Sequence, residues 1–328
     1  MRYLIMGAGA LGTVFGGLLQ HAGYPVTFCG RGAHFDHLTT QGLTINGIWG
    51  EFHLGPVAAW QPALPASEPF DIILLCVKSF DTLTAALAVK KLLARHGLII
   101  SVQNGLGNLE ILAQEFGPAC TIGARVIFGA AISRPGVSTV TVYADKVLLG
   151  AISPQAPTAT LAQVAADLNQ AGIPTAVVDN ILTPLWDKVL YNCALNPLGA
   201  ILGVTYGALA ENPATRELML ALIQEIYQVA AARHIPLGQP TAERYFQHFL
   251  TNLVPPTAAH LPSMSQDLRQ GRRTEIDALN GAICRYAAPL KLATPYNQTI
   301  CQLIRFLESQ SSLRDQWEPG QTAITLKY

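Results

Sequence analysis

Charge is what this chain has least of. Asp, Glu, Lys and Arg make up 13% of 328 residues, and 21 basic side chains balance 21 acidic ones to a formal net charge of zero. An average soluble protein carries about 25% charged residues. A neutral surface offers no electrostatic footprint for nucleic acid or an anionic membrane, so neither is expected as a partner. Cysteines number only six: Cys29, Cys76, Cys120, Cys193, Cys284 and Cys301. No two have the short spacing of a zinc or redox motif, so no metal is expected. Most lie in apolar runs and read as small core residues of a reducing compartment, here the cytoplasm. No uninterrupted apolar run reaches the roughly 18 residues of a membrane span. Glycines break the N-terminal apolar run, which passes straight into a strand and a helix, and this argues against a cleaved leader. Half of the residues are hydrophobic. With so few charges to cover the surface, part of it is left for a partner subunit, and a homodimer is the form considered.

What is present is alternation. Residues 2–6, 25–29, 70–77 and 98–102 read as strands, and 11–22 as a helix closed by Gly23. The run at 70–77 is apolar but for Asp71, as expected where both faces of a sheet are covered. Residues 121–127, 137–142 and 146–149 read as strands completing the sheet, and 158–171 as a helix. From Thr183 onward helical periodicity takes over, in segments 184–195, 214–233, 241–251, 265–288 and 297–309, with Thr183 and Pro184 as N-cap and first turn. Residues 313–328 look irregular. The pattern predicts an α/β protein: a Rossmann-type doubly wound sheet domain over 1–179, then an all-α domain over 180–328.

The first strand runs into Gly7-Ala8-Gly9-Ala10-Leu11-Gly12. Gly7 allows a tight turn, Gly9 lets backbone approach a pyrophosphate, and Gly12 lets helix pack on strand. The helix N-terminus favours the phosphate charge. At the end of the second strand stands Cys29-Gly30-Arg31, with no acidic residue until Asp36. A planar guanidinium there pairs with a ribose 2′-phosphate, which favours NADP over NAD; the plain alternative is a solvent-exposed loop arginine. Lys78 and Asn104 each follow an apolar strand, at the edge where such sheets bind ligands. Each can also be a turn residue or cap.

Lys188, Asn192 and Asn196 are spaced by four in a stretch that is otherwise mostly apolar. That spacing stacks them on one helix face. A proton donor beside two amides suits a small oxygen-rich substrate, whereas the bland reading has the lysine snorkelling and the amides bonding backbone.

These motifs resemble the ketopantoate reductase (2-dehydropantoate 2-reductase) family. The resemblance is carried by the glycine loop, Val77-Lys-Ser79, Gln103-Asn-Gly105, the segment from Asp187 to Pro197, and Pro262-Ser-Met-Ser-Gln-Asp-Leu-Arg269 with Thr274-Glu-Ile-Asp277 and Leu279-Asn-Gly281. It implies an NADPH-dependent reduction of a 2-keto acid to a 2-hydroxy acid on the way to pantothenate. By resemblance Lys188 is the catalytic lysine, and Asn192, Asn196 and Asn104 face the substrate, Asn104 near the nicotinamide as well. Ser263 holds the substrate carboxylate, Glu275 contacts cofactor and substrate, Arg31 and Lys78 are cofactor-side cations, and backbone near Ala131 touches the cofactor. Tyr206 departs from the pattern, standing where the family has a substrate-binding asparagine. A relative acting on another keto acid or an imine, or a non-catalytic NADPH sensor, are the competing expectations.

Overall fold

The computed structural model describes residues 1–61 and 68–314. Its contacts divide the chain into two units, Met1–Lys188 and 189–328.

The first unit is laid down as β1 (Tyr3–Met6), α1 (Ala10–His21), β2 (Val26–Cys29), α2 (Gly32–Thr40), β3 (Leu43–Gly47), β4 (Phe52–Leu54), β5 (Ala58–Ala59) and β6 (Phe70–Leu75). Then follow α3 (Thr82–Val89), β7 (Leu93–Ser101), α4 (Asn108–Phe116), β8 (Thr121–Arg134), β9 (Val137–Ala151), α5 (Thr158–Gln170) and β10 (Thr175–Val177). All ten strands form one sheet in the order β4-β3-β9-β8-β7-β6-β1-β2-β5, with β10 also on β9. The stretch β5-β2-β1-β6-β7-β8 is parallel. Its order reverses at β1, and crevices for ligands open at the strand ends beside such a reversal.

Strand alternation divides the core. Tyr3, Ile5, Ile72, Leu74, Leu98 and Ile100 pack with Phe15, Leu18 and Leu19 of α1 and Leu161 and Val164 of α5. Leu4, Met6, Ile73, Leu75 and Ile99 pack on the other face with Ala85 and Val89 of α3 and Leu112 of α4. Each large side chain so buried contributes about 1.5–3 kcal/mol of transfer free energy, which is why the apolar runs were readable as strands.

In the sheet, the half around β9 differs from expectation in two ways. The segments at 137–142 and 146–149 are one strand, β9, in a long antiparallel hairpin with β8 whose ladder carries several bulges. Residues 143–145 between them are exposed, which imitates a break. The hairpin of β3 and β4, unmarked by any strong periodicity, crosses to the far edge, where β3 pairs in parallel with β9.

The helix α6 (Leu182–Leu202) begins in the first unit and runs into the second. It starts earlier than the Thr183–Pro184 signal suggests, because the side chain of Asn180 accepts the Leu182 and Thr183 N–H groups. It also continues through Pro197, where a stop was expected. A proline removes the N–H that would bond the carbonyl four residues back. Here that carbonyl, Cys193 O, accepts a hydrogen bond from Asn280 Nδ2 at 3.2 Å, so the gap is filled from another segment.

The rest of the second unit comprises α7 (Tyr206–Glu211), α8 (Pro213–Ala232), α9 (Ala242–His248), α10 (Ser263–Arg269), α11 (Asn280–Ala287) and α12 (Pro295–Arg314). The helix expected over 241–251 is α9 followed by a π turn, Phe249–Leu253. The single helix expected over 265–288 is broken into α10, a 3₁₀ turn and α11. Gly271, at φ +64°, takes the left-handed conformation that ends a helix, and Arg272 folds back to pair with Asp267. Of the irregular tail expected at 313–328, all but the end of α12 lies outside the described residues.

Beneath these helices lies a buried polar network. Asn280 Nδ2 also donates to Asn297 Oδ1 at 3.0 Å, and Asn297 Nδ2 donates to Glu225 Oε2 at 2.7 Å. Glu225 accepts the Tyr296 and Asn297 N–H groups as well, at 2.8 and 2.9 Å. The carboxylate of α8 thus caps the first turn of α12, where negative charge is favoured.

Candidate active site

Geometry around the glycine loop follows from what side chains would do there. Gly7 sits at φ +110°, and a Cβ on it would come within 2.6 Å of Val77 N. A Cβ on Gly12 would lie 2.1 Å from Gly7 O. At Gly9 a Cβ would meet nothing within 4 Å. Gly9 is also the N-cap of α1 and offers no side-chain cap. The turn is therefore closed behind, by β6 and by its own helix, and open in front, where first-turn N–H groups without intrahelical acceptors attract an anion. The N–H groups of Gly7 and Ala8 are anchored on Cys29 O at 2.9 and 3.0 Å. Ala10 and Leu11 form the first turn of α1. These residues fit a dinucleotide pyrophosphate.

Arg31 stands two residues past the end of β2, as the N-cap of α2. Its side chain is 89% exposed and its Nη2 lies 3.2 Å from Asp81 Oδ2. Lys78 is exposed and opens the short turn Ser79–Asp81 after β6. Ala131 lies further along the hairpin, opposite Thr139 and half-buried.

Asn104 rests on residues that sequence reasoning passed over. Gln103 is buried; its amide nitrogen donates to Val77 O at 2.9 Å and Thr82 Oγ1 at 2.8 Å. Thr82 in turn donates to Asn108 Oδ1, and Asn108 Nδ2 donates to Asn104 O at 3.0 Å. This chain ties the ends of β6 and β7 together and holds the loop carrying Asn104. The only signal for it was the amide-rich Gln103-Asn-Gly itself.

Lys188 completes the arrangement in the first unit. Its Nζ donates to Asn104 Oδ1 at 2.6 Å and to Val126 O of β8 at 2.5 Å. Two uncharged oxygens therefore aim the ammonium, and two residues distant in sequence, Asn104 and Lys188, are brought into contact. A cavity of about 220 Å³ is lined by the same loop, Gln103, Gly105, Leu106 and Asn108 among its residues, and by Leu185 and Trp186. Its lining is mostly apolar and includes neither Lys188 nor Asn104.

Further along α6, Asn192 and Asn196 are 8% and 7% exposed. Among the described residues the Asn192 amide has no hydrogen-bond partner, and Asn196 has one, the hydroxyl of Tyr206, which donates to Asn196 Oδ1 at 2.5 Å. Tyr206 opens α7 and is 4% exposed. Its ring meets Tyr191 edge-on, with centroids 5.8 Å apart. Burial first, then the neighbouring Tyr191, pushes its phenol pKa far up, so it stays a donor. By holding the amide oxygen, Tyr206 fixes which way the Asn196 amide faces and so where its donor, Nδ2, points.

Ser263 is the exposed first residue of α10, with Pro262 as N-cap. A second hydroxyl on that helix, Ser265, is buried and without a partner among the described residues. Glu275 is half-buried and caps the 3₁₀ turn Ile276–Ala278. It does not share a helix with Asp267, which lies on α10. Nearby Asp277 is partly buried, which opposes ionisation, yet Arg305 and Arg273 outweigh this and hold its carboxyl below the usual range.

Comparison with known proteins places most of the chain. A family model described as ketopantoate reductase PanE/ApbA matches residues 3–154, and one described as its C terminal matches 180–308. A 2-dehydropantoate 2-reductase of Aquifex aeolicus (strain VF5) is 38% identical over 308 residues, covering 94% of this chain and 97% of that protein. The crystal structure of a PanE/ApbA family ketopantoate reductase from Ralstonia eutropha JMP134 superposes with a TM-score of 0.84 at 30% identity, covering 95% of this chain and 100% of that one. A D-mandelate dehydrogenase, solved with NADH and anilino(oxo)acetate, gives 0.86 at 25% identity with the same coverage.

Proposed function

Because the chain belongs to the ketopantoate reductase family, we propose that it reduces 2-dehydropantoate to pantoate with NADPH, a step in pantothenate biosynthesis. The observation that carries this reading is the contact of Lys188 Nζ with Asn104 Oδ1 and Val126 O. The nicotinamide, when bound, supplies a hydride for the keto carbon; Gly7, Ala8, Gly9, Ala10, Leu11 and Gly12 would hold its pyrophosphate, and Arg31 and Lys78 its 2′-phosphate.

The chain's own work concerns the carbonyl oxygen. Negative charge grows there during reduction, and an aimed ammonium both stabilises it and delivers a proton. Lys188 has that role. Asn104 fixes the lysine from one side while lying in a loop made rigid by Gln103 and Asn108. Asn192 and Asn196 orient the substrate as donors, Asn196 through the nitrogen that Tyr206 leaves available. Ser263 takes the substrate carboxylate, and Glu275 and the backbone at Ala131 serve the cofactor side. Asn104, Asn192, Asn196 and Ser263 are uncharged, so they orient the substrate without disturbing the charge balance at the lysine.

A second reading is favoured by Tyr206: a related 2-keto acid, or an imine, in place of 2-dehydropantoate. The similarity to a mandelate enzyme supports keeping it. NADPH oxidation measured with 2-dehydropantoate against simpler and aromatic 2-keto acids decides. Fastest turnover of 2-dehydropantoate supports the first reading, and another acid winning supports the second. NADPH binding with no turnover of any keto acid would mark a sensor. No helix among the described residues is long and apolar enough to cross a membrane. Cytoplasmic residence and a homodimer belong to the same proposal, and light scattering on the purified chain tests the latter.

A further inference from the structure

The turn beside Arg31 carries a charge that the phosphate assignment leaves unused. Asp81 closes that turn, its backbone N–H donating to Lys78 O at 2.9 Å. Its carboxylate lies 3.2 Å from Arg31 Nη2, and the two side chains are 36% and 89% exposed. Dinucleotide-binding sheets discriminate cofactors at this place by charge: a carboxylate accepts the ribose 2′-hydroxyl of NADH, whereas an arginine accommodates the 2′-phosphate of NADPH. Here both groups are present and in contact. A phosphate carries about −1.5 to −2 charges at neutral pH. Arg31 and Lys78 match it in sign and size, but Asp81 cancels one of their charges. A phosphate seated on Arg31 is repelled by the neighbouring carboxylate and competes with it for the same guanidinium. A 2′-hydroxyl suffers neither penalty and finds an acceptor.

From this ion pair we propose that the protein binds NADH as well as NADPH, and that Asp81 is the residue that sets their ratio. The inference rests on the proposed assignment of Arg31 to the 2′-phosphate. Calorimetric titration of the full chain with NADPH and with NADH, at low and high salt, tests it. The wild type is expected to bind the two within roughly tenfold of each other. Asp81→Asn is expected to shift the ratio about two- to fivefold toward NADPH, the scale of an exposed charge pair. That shift should shrink at high salt, as screening of exposed charges requires, whereas a merely structural effect would not. Asp81→Glu should restore the wild-type ratio. If Arg31→Ala weakens NADPH but Asp81→Asn leaves the ratio unchanged, or if the wild type prefers NADPH by more than roughly a hundredfold, the inference falls and the Arg31 assignment stands. If Arg31→Ala leaves NADPH affinity intact, the assignment falls and takes the inference with it.

Discussion

The two units hold their functional groups by different means. In the first, candidate residues stand just past strand ends: Gly7 after β1, Arg31 after β2, Lys78 after β6 and Asn104 after β7. Strand register places them, with the Gln103, Thr82 and Asn108 hydrogen bonds holding the loop of Asn104, and apolar clusters pack on both faces of the sheet. In the second, the candidates are side chains of helices, and beneath them lies a network of buried polar groups: Glu225, Asn280 and Asn297 are 5%, 0% and 0% exposed. A sheet edge positions chemistry by strand register, which is cheap to specify with apolar residues. A helix crossed by a proline has to be positioned by hydrogen bonds, and these come from far along the chain. Small changes to backbone space should therefore injure the first unit, and loss of single polar atoms the second.

The largest effect should come from the residue at the join. Lys188→Ala removes the proposed proton donor, and kcat should fall about 10²–10⁴-fold. The dissociation constant for NADPH, measured by titration, should hardly change. Near-normal turnover would remove Lys188 from the chemistry.

Glu225→Ala should come next. It deletes an acceptor for three N–H groups, and bonds to charged groups contribute about 1.5–3 kcal/mol each. A loss of about 3 kcal/mol or more in urea denaturation is expected, with the transition of the helical unit affected first. A loss below about 1 kcal/mol would mean that the network is solvated in practice.

Gly12→Ala tests the first unit in the same way. The added methyl would stand 2.1 Å from Gly7 O, so the turn or the helix must shift. Overpacking of this kind costs about 1–3 kcal/mol, and NADPH affinity should fall with it. Unchanged affinity would show that the loop does not hold the nucleotide.

Tyr206→Phe is gentler. It releases the Asn196 carbonyl and lets the amide turn over, costing about 1 kcal/mol for the lost bond. On the proposed reading KM for the keto acid rises while NADPH affinity stays constant. A KM unchanged for every keto acid tried would leave Tyr206 a packing residue only.

The smallest effect concerns pH. His34 accepts the Gly136 N–H at Nδ1, 3.1 Å away, and shares a hydrogen bond with Thr13 through Nε2 at 3.0 Å. Burial, then the neighbouring His37, lowers its pKa, with a weaker opposing backbone bond from Arg134. The folded state thus binds the proton less readily than the unfolded chain, whose histidines titrate near about 6.5. Stability from this group is full above that value and is lost as pH falls through it toward the lower folded value. Thermal melts at pH 7.5 and 5.5 should show a drop that His34→Gln reduces; the same drop in both proteins would clear His34.

How much was readable differs between the units for the same reason. The strand–turn–helix of the nucleotide loop, the apolar strands and the face of Lys188, Asn192 and Asn196 are local patterns of period two or four. The path of α6 through Pro197 was not readable, because its missing donor is supplied by Asn280. The break at Gly271 was hidden within a stretch whose periodicity suits one long helix. Gln103 and Asn108 look like ordinary loop amides until β6 and β7 are adjacent.

By itself the sequence determined the two-part architecture, the family, and the residue types on offer for chemistry, since periodicity and motif spacing are properties of neighbours along the chain. Tertiary structure alone decided that Lys188 bonds Asn104 and Val126, that Tyr206 fixes which way the Asn196 amide faces, and that Arg31 faces Asp81. Each of these joins groups from separate segments, at distances set by packing, and no local spacing encodes such a meeting.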